Sequence, residues 1–206
     1  KKIVIFKKKV ILILNPYLTN ILKIKKKRKQ KKFSILSIGR ITKQKNFDLL
    51  ISSIFNLSKK YKYIELTIVG NGNLFKIIQN KISNQKNIKL IKWKKNLKPF
   101  FLKSDLFILS SYYEGLPNVL IDAVNYEVPC IATDVSGVRD ILINGKGGLI
   151  IANNNQKELE KNIEYSINNY SKIKKKIFLA KKKLFRFTNI NCVIMHKQFN
   201  KIDNYK

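Results

Sequence analysis

The sequence predicts an α/β domain built on a doubly wound parallel sheet. Two observations carry that expectation. Between Phe33 and Ile151 apolar runs of strand length recur, and the stretches between them space their apolar residues at helical intervals. Strands separated by amphipathic helices lie parallel, because each crossover must return to the same edge, and the helices then cover both faces of the sheet. No internal repeat interrupts the alternation.

FSILSI, residues 33–38, is the first strand. Phe47, Leu50, Ile51, Ile54 and Leu57 follow at helical spacing, behind an Asn46 suited to cap the helix start. IELTIV is the second strand and ends at Gly70. Residues 74–82 read as helix, 88–91 as strand, 97–102 as helix and 105–109 (DLFIL) as strand. A helix beginning at Pro117, a strand at Cys130, a short helical turn at 138–142 and a last strand at 148–151 complete the alternation. Beyond residue 157 the chain is helical in character, with Leu159, Ile163, Ile167, Ile177, Leu179 and Leu184 spaced by charge. Ahead of the domain, residues 1–20 hold two apolar runs broken by lysines, and 23–32 (KIKKKRKQKK) is a charge run without apolar periodicity, expected to be an exposed linker.

Lysine and arginine number 43 against 12 acidic residues, a formal charge of +31. Such a charge suits a polyanion. Lys, Ile and Asn are abundant together, however, which is the pattern of an AT-rich genome, and asparagine adds nothing to nucleic-acid affinity. No zinc-ligand spacing, homeodomain-like helix or RNP-type aromatic run is present, so specific nucleic-acid binding is not expected. Attraction to an anionic membrane surface, about 1 kcal/mol per nearby basic residue, is the expected consequence of the charge. Lys7, Lys8 and Lys9 cut the most hydrophobic region, and no apolar run approaches the ~18 residues of a membrane span. No small-residue cleavage site follows that region and the chain begins at Lys1, so a secretory signal is not expected and a natural start is missing. Cys130 and Cys192 have no CxxC partner and read as reduced, structural thiols. His196, the single histidine, has no Ser, Asp or Cys partner at a recognisable spacing, and no set of metal ligands is clustered.

The stretch SSYYEGLPNVLID, from Ser110 to Asp122, places one acid before a helix and another inside it. Glu114 and Gly115 occupy a loop leaving a strand, and Pro117 is expected at the first helical position, where its missing N–H costs nothing. The amides of Asn118 and Val119 then face outward at the positive end of a helix, a site for phosphate. Asp122, one turn beyond Asn118, leans back toward that end and can reach a sugar diol. Arg40 follows the glycine, Gly39, that closes the first strand, at the carboxyl edge where open α/β sheets bind ligands, and Lys45 precedes the Asn46 cap. Gly70-Asn71-Gly72 after a strand is two thirds of a dinucleotide fingerprint, but Phe75 holds the third glycine position, which argues against hydride transfer.

The run Glu114-Gly115-Leu116-Pro117-Asn118-Val119-Leu120-Ile121-Asp122-Ala123 resembles the signature of the large retaining glycosyltransferase family of GT-B fold often called family 4. Ile38-Gly39-Arg40 with Lys43-Gln44-Lys45-Asn46 is similar to the family's glycine-arginine and lysine pair, and Val128-Pro129 to Gly137 and Gly147-Gly148-Leu149 to its closing strands. The resemblance implies that Arg40 and Lys45 bind the pyrophosphate, with Lys43 facing solvent, and that Glu114 contacts the donor sugar. Gly115, Leu116, Asn118 and Val119 act through their backbone, and Gly70 and Gly72 shape the nucleotide wall. Asp122 stands where the family has glutamate on the ribose hydroxyls, a shorter reach by one methylene. Lys92 stands where glycine is common, and Trp93 is expected to pack rather than stack on a base.

By the same resemblance the chain is the C-terminal, donor-binding half of a GT-B fold, with trailing helices. Residues 1–32 are a remnant of the crossing from an N-terminal domain, with Asn15-Pro16 at that crossing, plus a basic linker. Residues 33–155 are the nucleotide-sugar domain, and 156–206 are helices packing on it and toward the absent N-terminal acceptor domain. The implied reaction is metal-independent transfer, with retention and no cofactor, from a UDP- or GDP-linked sugar to a glycan or lipid-linked acceptor in the cytoplasm or at the cytoplasmic face of the membrane. The alternatives are a silent or split fragment that needs a separate acceptor domain, and a basic nucleic-acid binder.

Overall fold

The computed structural model describes residues 17–24, 32–191 and 193–194. Asn15-Pro16, Lys7 to Lys9, most of the basic run, Cys192 and His196 lie outside the described residues. Contacts divide the chain into two units, 22–184 and a second made of 1–21 with 185–206. In the second unit the amides of Tyr17 and Leu18 both donate to the Phe187 carbonyl at 2.9 Å, and Leu18 pairs in parallel with Thr188.

The larger unit alternates strand and helix as β1 (Phe33–Ile38), α1 (Phe47–Lys60), β2 (Ile64–Val69), α2 (Phe75–Lys81), β3 (Ile88–Ile91), α3 (Lys98–Lys103) and β4 (Leu106–Leu109). It continues through α4 (Asn118–Asn125), β5 (Cys130–Thr133), α5 (Val138–Ile141), β6 (Leu149–Ile151), α6 (Gln156–Asn168) and α7 (Tyr170–Lys182). The six strands pair in parallel in the order β3-β2-β1-β4-β5-β6, a Rossmann-like doubly wound sheet. β4 and β5 are buried at every residue, which explains why they read as continuous apolar runs.

Ile35, Leu66, Ile68, Ile108 and Ile131 join Leu50, Ile54, Leu159 and Ile163 in one apolar cluster, so α1 and α6 close one face. Aromatic packing marks a second layer: Phe101 of α3 lies 6.0 Å from Phe107 of β4 and stacks on Tyr126, just after α4, at 5.0 Å. Each buried side chain of this size is worth about 1.5–3 kcal/mol relative to exposure. The α1 to α6 contact also carries an exposed polar tie, in which Glu164 accepts from Lys60 Nζ at 2.5 Å and from Tyr61 Oη at 2.6 Å. These two donors hold the Glu164 carboxyl below its usual range, Lys60 contributing most.

The entering segment is fastened to the far end of α4. Leu22 N donates to Asn125 Oδ1 at 2.9 Å, and Lys181 Nζ bonds both the Leu22 carbonyl and Glu127 Oε1, the latter at 2.7 Å. Glu127 adopts φ 55°, which turns the chain sharply after α4. Of the basic run, Lys23 and Lys32 are described and exposed, and Lys32 pairs with Glu65 at 2.5 Å.

Two expectations are corrected, for Trp93 and Pro117, and the inward face of α7 is defined. Leu179 is 49% exposed and belongs to no buried stripe, since Ile173, Ile177 and Ala180 supply the inward face of α7. Trp93 is 48% exposed; its amide is held by Asn71 Oδ1 at 3.1 Å, which leaves the indole outside the core. The α4 helix starts at Asn118, one residue later than expected, with Pro117 as its cap at ψ 88°. That ψ is extended, so Pro117 contributes its carbonyl, which accepts from Leu120 N at 2.9 Å.

Candidate active site

β1 and β4 are neighbours whose connections leave toward opposite sides of the sheet, and such a reversal opens a crevice at the carboxyl ends of the strands. The loop after β1 carries Gly39 and Arg40, then a single 3₁₀ turn at Lys43–Lys45. Asn46 follows in the left-handed region at φ 47° and caps α1 by accepting from Leu49 N at 3.4 Å. This kink turns Lys45 back over the strand end. A Cβ on Gly39 would lie 3.0 Å from Lys45 Cε, so the lysine stem runs across the glycine.

Three hydrogen bonds staple this loop to the one after β4. Ser110 Oγ donates to the Lys45 carbonyl at 2.8 Å, Tyr112 N to the Gln44 carbonyl at 2.8 Å and Gln44 Nε2 to the Tyr113 carbonyl at 2.9 Å. Across the seam Lys45 Nζ meets Glu114 Oε1 at 2.5 Å, two side chains 69 residues apart with only 13% and 9% of their surfaces exposed. The same oxygen accepts from Ser111 Oγ at 2.6 Å. Ser111 is fully buried and its own carbonyl accepts from Thr133 Oγ1 at 2.7 Å, so Glu114 is aimed by a fixed donor. Ser111 escaped the motif reading; the signal was a hydroxyl three residues before the acid, a spacing at which side chains bond locally.

Arg40 is exposed at the mouth of the crevice and reaches Gln44 Oε1 at 3.4 Å, with no carboxylate partner among the described residues. Lys43 is exposed, as expected. Gly115 is open to solvent, with nothing within 4 Å of a Cβ placed on it. Leu116 and Pro117 lie against Gly137, where φ is 78° and a Cβ would meet the Gly115 carbonyl and Leu116 Cδ1 at 3.0 Å. No side chain fits there, so the loop after β5 backs the start of α4. Asn118 and Val119 are the first two residues of that helix, and their amides have no intrahelical partner. Asp122 is half-buried in the second turn of α4. Burial, and after it the Asp122 charge, hold the Tyr126 phenol above its usual range.

Gly70 and Gly72 act by absence of a side chain. A Cβ on Gly70 would fall 1.9 Å from the Gly39 carbonyl oxygen, and one on Gly72 would fall 2.3 Å from that of Ile41. The turn after β2 therefore presses against the backbone that presents Arg40. Beside it Asn71, Gly72, Asn73, Phe75, Lys76 and Lys92 line a shallow hollow of about 360 Å³. The structure thus gathers Gly39, Lys45, Glu114, Gly70 and Gly72 at one strand edge, keeps Arg40 at its rim and carries Asp122 one turn beyond Asn118 on α4.

The family described as Glycosyl transferases group 1 matches residues 19–183, most of the chain. An uncharacterised glycosyltransferase of Methanocaldococcus jannaschii is 40% identical over 114 residues, 53% of this chain and 28% of that protein. The capsular polysaccharide biosynthesis glycosyltransferase CapM of Staphylococcus aureus is 31% identical over 143 residues, covering 68% of this chain and 38% of CapM. A Campylobacter jejuni N-acetylgalactosaminyltransferase named for a diphosphoundecaprenol-linked glycan is 26% identical over 145 residues, 68% of this chain and 40% of its own. The chain thus spans well under half the length of these curated relatives. Among solved structures, Anabaena HepE in complex with UDP and glucose superposes with a TM-score of 0.72 at 17% identity, over 84% of this chain and 48% of HepE. A variant of S. aureus TarM, crystallised with fondaparinux, alpha-GlcNAc-glycerol and UDP, gives 0.73 at 23% identity, over 86% and 37%. The parallel six-stranded sheet is the one these GT-B structures share, and with the family matched across residues 19–183, the chain belongs to the glycosyl transferases group 1 family.

Proposed function

We propose that the chain is the C-terminal donor-binding half of a retaining, family 4 glycosyltransferase and holds a UDP- or GDP-linked sugar. The observation that carries this reading is the Lys45 to Glu114 pair at 2.5 Å, at the strand edge beside the free amides of α4. When a glycosidic bond to a nucleoside diphosphate breaks, negative charge grows on the leaving phosphate. Fixed positive groups aimed at it lower the barrier without reorganising. Arg40, Lys45 and the amides of Asn118 and Val119 supply them here, in the role a metal ion otherwise fills. Glu114, held by Ser111, accepts a hydrogen bond from a donor-sugar hydroxyl, and Asp122 binds the ribose hydroxyls. The acceptor attacks the sugar from the face the diphosphate leaves, which retains the anomeric configuration.

The acceptor is a glycan or a lipid-linked saccharide, a reading supported by the diphosphoundecaprenol-linked glycan in the name of the Campylobacter relative. Its binding wall belongs to a facing N-terminal domain, and the reaction takes place at the cytoplasmic face of the membrane. Calorimetric titration of the chain with UDP, GDP and ADP tests the site. UDP or GDP binds, and Arg40→Ala weakens binding about tenfold to a hundredfold, the worth of a charge-assisted hydrogen bond. Glu114→Ala leaves the free nucleotide bound and abolishes the added affinity for the nucleotide sugar. If no nucleotide binds, or if Arg40→Ala binds like the native chain, the assignment is wrong.

A further inference from the structure

The outer face of α7 presents an apolar pair set among lysines. The helix contains no acidic residue. Three of its lysines are occupied inward: Lys174 bonds the Glu127 carbonyl, Lys176 the Gly145 carbonyl at 3.0 Å and Lys181 the Glu127 carboxylate. Lys172, Lys175, Lys182 and Lys183 are exposed and have no carboxylate partner among the described residues. At 3.6 residues per turn, Lys175 and Lys182 lie on the same outer arc as Phe178 and Leu179, one turn to either side, with Lys172 and Lys183 beyond them. Phe178 is 41% and Leu179 is 49% exposed, and Lys174 Nζ lies 5.4 Å from the Phe178 ring centre, which steadies the ring.

We propose that this face docks on an anionic lipid surface, with Phe178 and Leu179 entering the headgroup boundary and the four lysines on lipid phosphates. Two side chains are far too little for a protein partner, which needs about 800 Å² per side. Lysine is also depleted from protein interfaces. A short apolar ridge flanked by cations is, by contrast, the pattern of a helix lying in a membrane interface, where charge and apolar burial add. The inference rests on the proposed placement of the reaction at a membrane face, but α7 contributes none of the residues placed at the nucleotide site, so vesicle binding and nucleotide binding fail separately.

The test is cosedimentation of the 206-residue chain with vesicles of phosphatidylcholine alone, or with about one third phosphatidylglycerol. Binding is expected only to the anionic vesicles. Because the whole chain is basic, the decisive variants hold charge constant or move it elsewhere. Phe178→Ser with Leu179→Ser keeps the charge and weakens binding about thirtyfold. Replacing Lys172, Lys175, Lys182 and Lys183 by glutamine costs about fivefold per residue. The same change at the exposed Lys59, Lys62, Lys86 and Lys89 costs far less. Phe178→Trp reports independently by a blue shift of its emission on anionic vesicles, measured against the native chain. The proposal is overturned if the Ser pair binds like the native chain or if the two lysine sets lose affinity equally. It is also overturned if no blue shift occurs, or if the Ser pair alters only self-association in sedimentation velocity, which would place a second copy on this face.

Discussion

Removing either partner of the Lys45 to Glu114 pair should loosen the seam between the two site loops, and the size of the effect follows from its geometry. At 2.5 Å and an effective dielectric constant near 20, the gross attraction is about 7 kcal/mol. The two side chains keep 13% and 9% of their surface, so withdrawing them from water takes back several kcal/mol. A net coupling of about 2–3 kcal/mol remains, within the range measured for close charge pairs. Glu114→Gln leaves a nearly buried ammonium without its counter-charge, and Lys45→Met leaves the carboxylate with Ser111 alone. Each single change should cost about 3 kcal/mol, while the double change should cost about 3–4 kcal/mol rather than their sum. The assay is urea unfolding of all four proteins followed by circular dichroism. Thermal midpoints should fall by about 6–12 °C for each single variant. A coupling below about 0.5 kcal/mol would show that water screens the pair and that the backbone bonds of Ser110, Tyr112 and Gln44 hold the seam unaided.

Gly70→Ala drives a methyl to 1.9 Å from the Gly39 carbonyl, so the loop bearing Arg40 must shift. We expect a loss of about 3 kcal/mol or more in urea unfolding, together with nucleotide affinity, and an unchanged midpoint would contradict the close approach. Burial pushes the Cys130 thiol far above its ordinary range, so iodoacetamide at neutral pH should leave the Cys130 peptide unmodified until the chain unfolds, as read by mass mapping. Glu164 has a depressed carboxyl pKa in the fold, so its contribution is complete above the unfolded value of about 4.5 and is lost as pH falls through the folded value. Glu164→Gln should therefore lower the thermal midpoint at neutral pH and flatten the acid side of the midpoint-against-pH curve below about pH 5; parallel curves would argue against the tie to Lys60 and Tyr61.

The strands were legible in the sequence because a sheet covered on both faces needs side chains that are apolar in succession, and LFIL of β4 is such a run, too short for a buried helix. Asn46 was legible as a cap because asparagine both accepts from the helix and tolerates the left-handed region it occupies. Pro117 lies one residue outside the helix because proline's fixed φ suits the first helical position and the cap alike, and only its ψ of 88° distinguishes the two. The Thr133 bond that fixes Ser111 and the meeting of Lys45 with Glu114 span 22 and 69 residues, which no local pattern encodes. Apolar spacing in α7 does not say which apolar residues face inward: Ala180 fills that place and Leu179 is left outside.

The knot of Leu22, Asn125, Glu127 and Lys181 gives α4 a second loaded end. The helix is eight residues long, about 12 Å, and behaves as a stiff rod at that length. Its first turn carries Asn118, and its last residue, Asn125, holds the amide of Leu22. A tug on the chain at Leu22 is thus delivered as a push or tilt at Asn118 and Val119, with Lys181 preventing the segment from peeling away first. The strand of polypeptide that enters this unit is, mechanically, a lever on the helix start that faces the crevice.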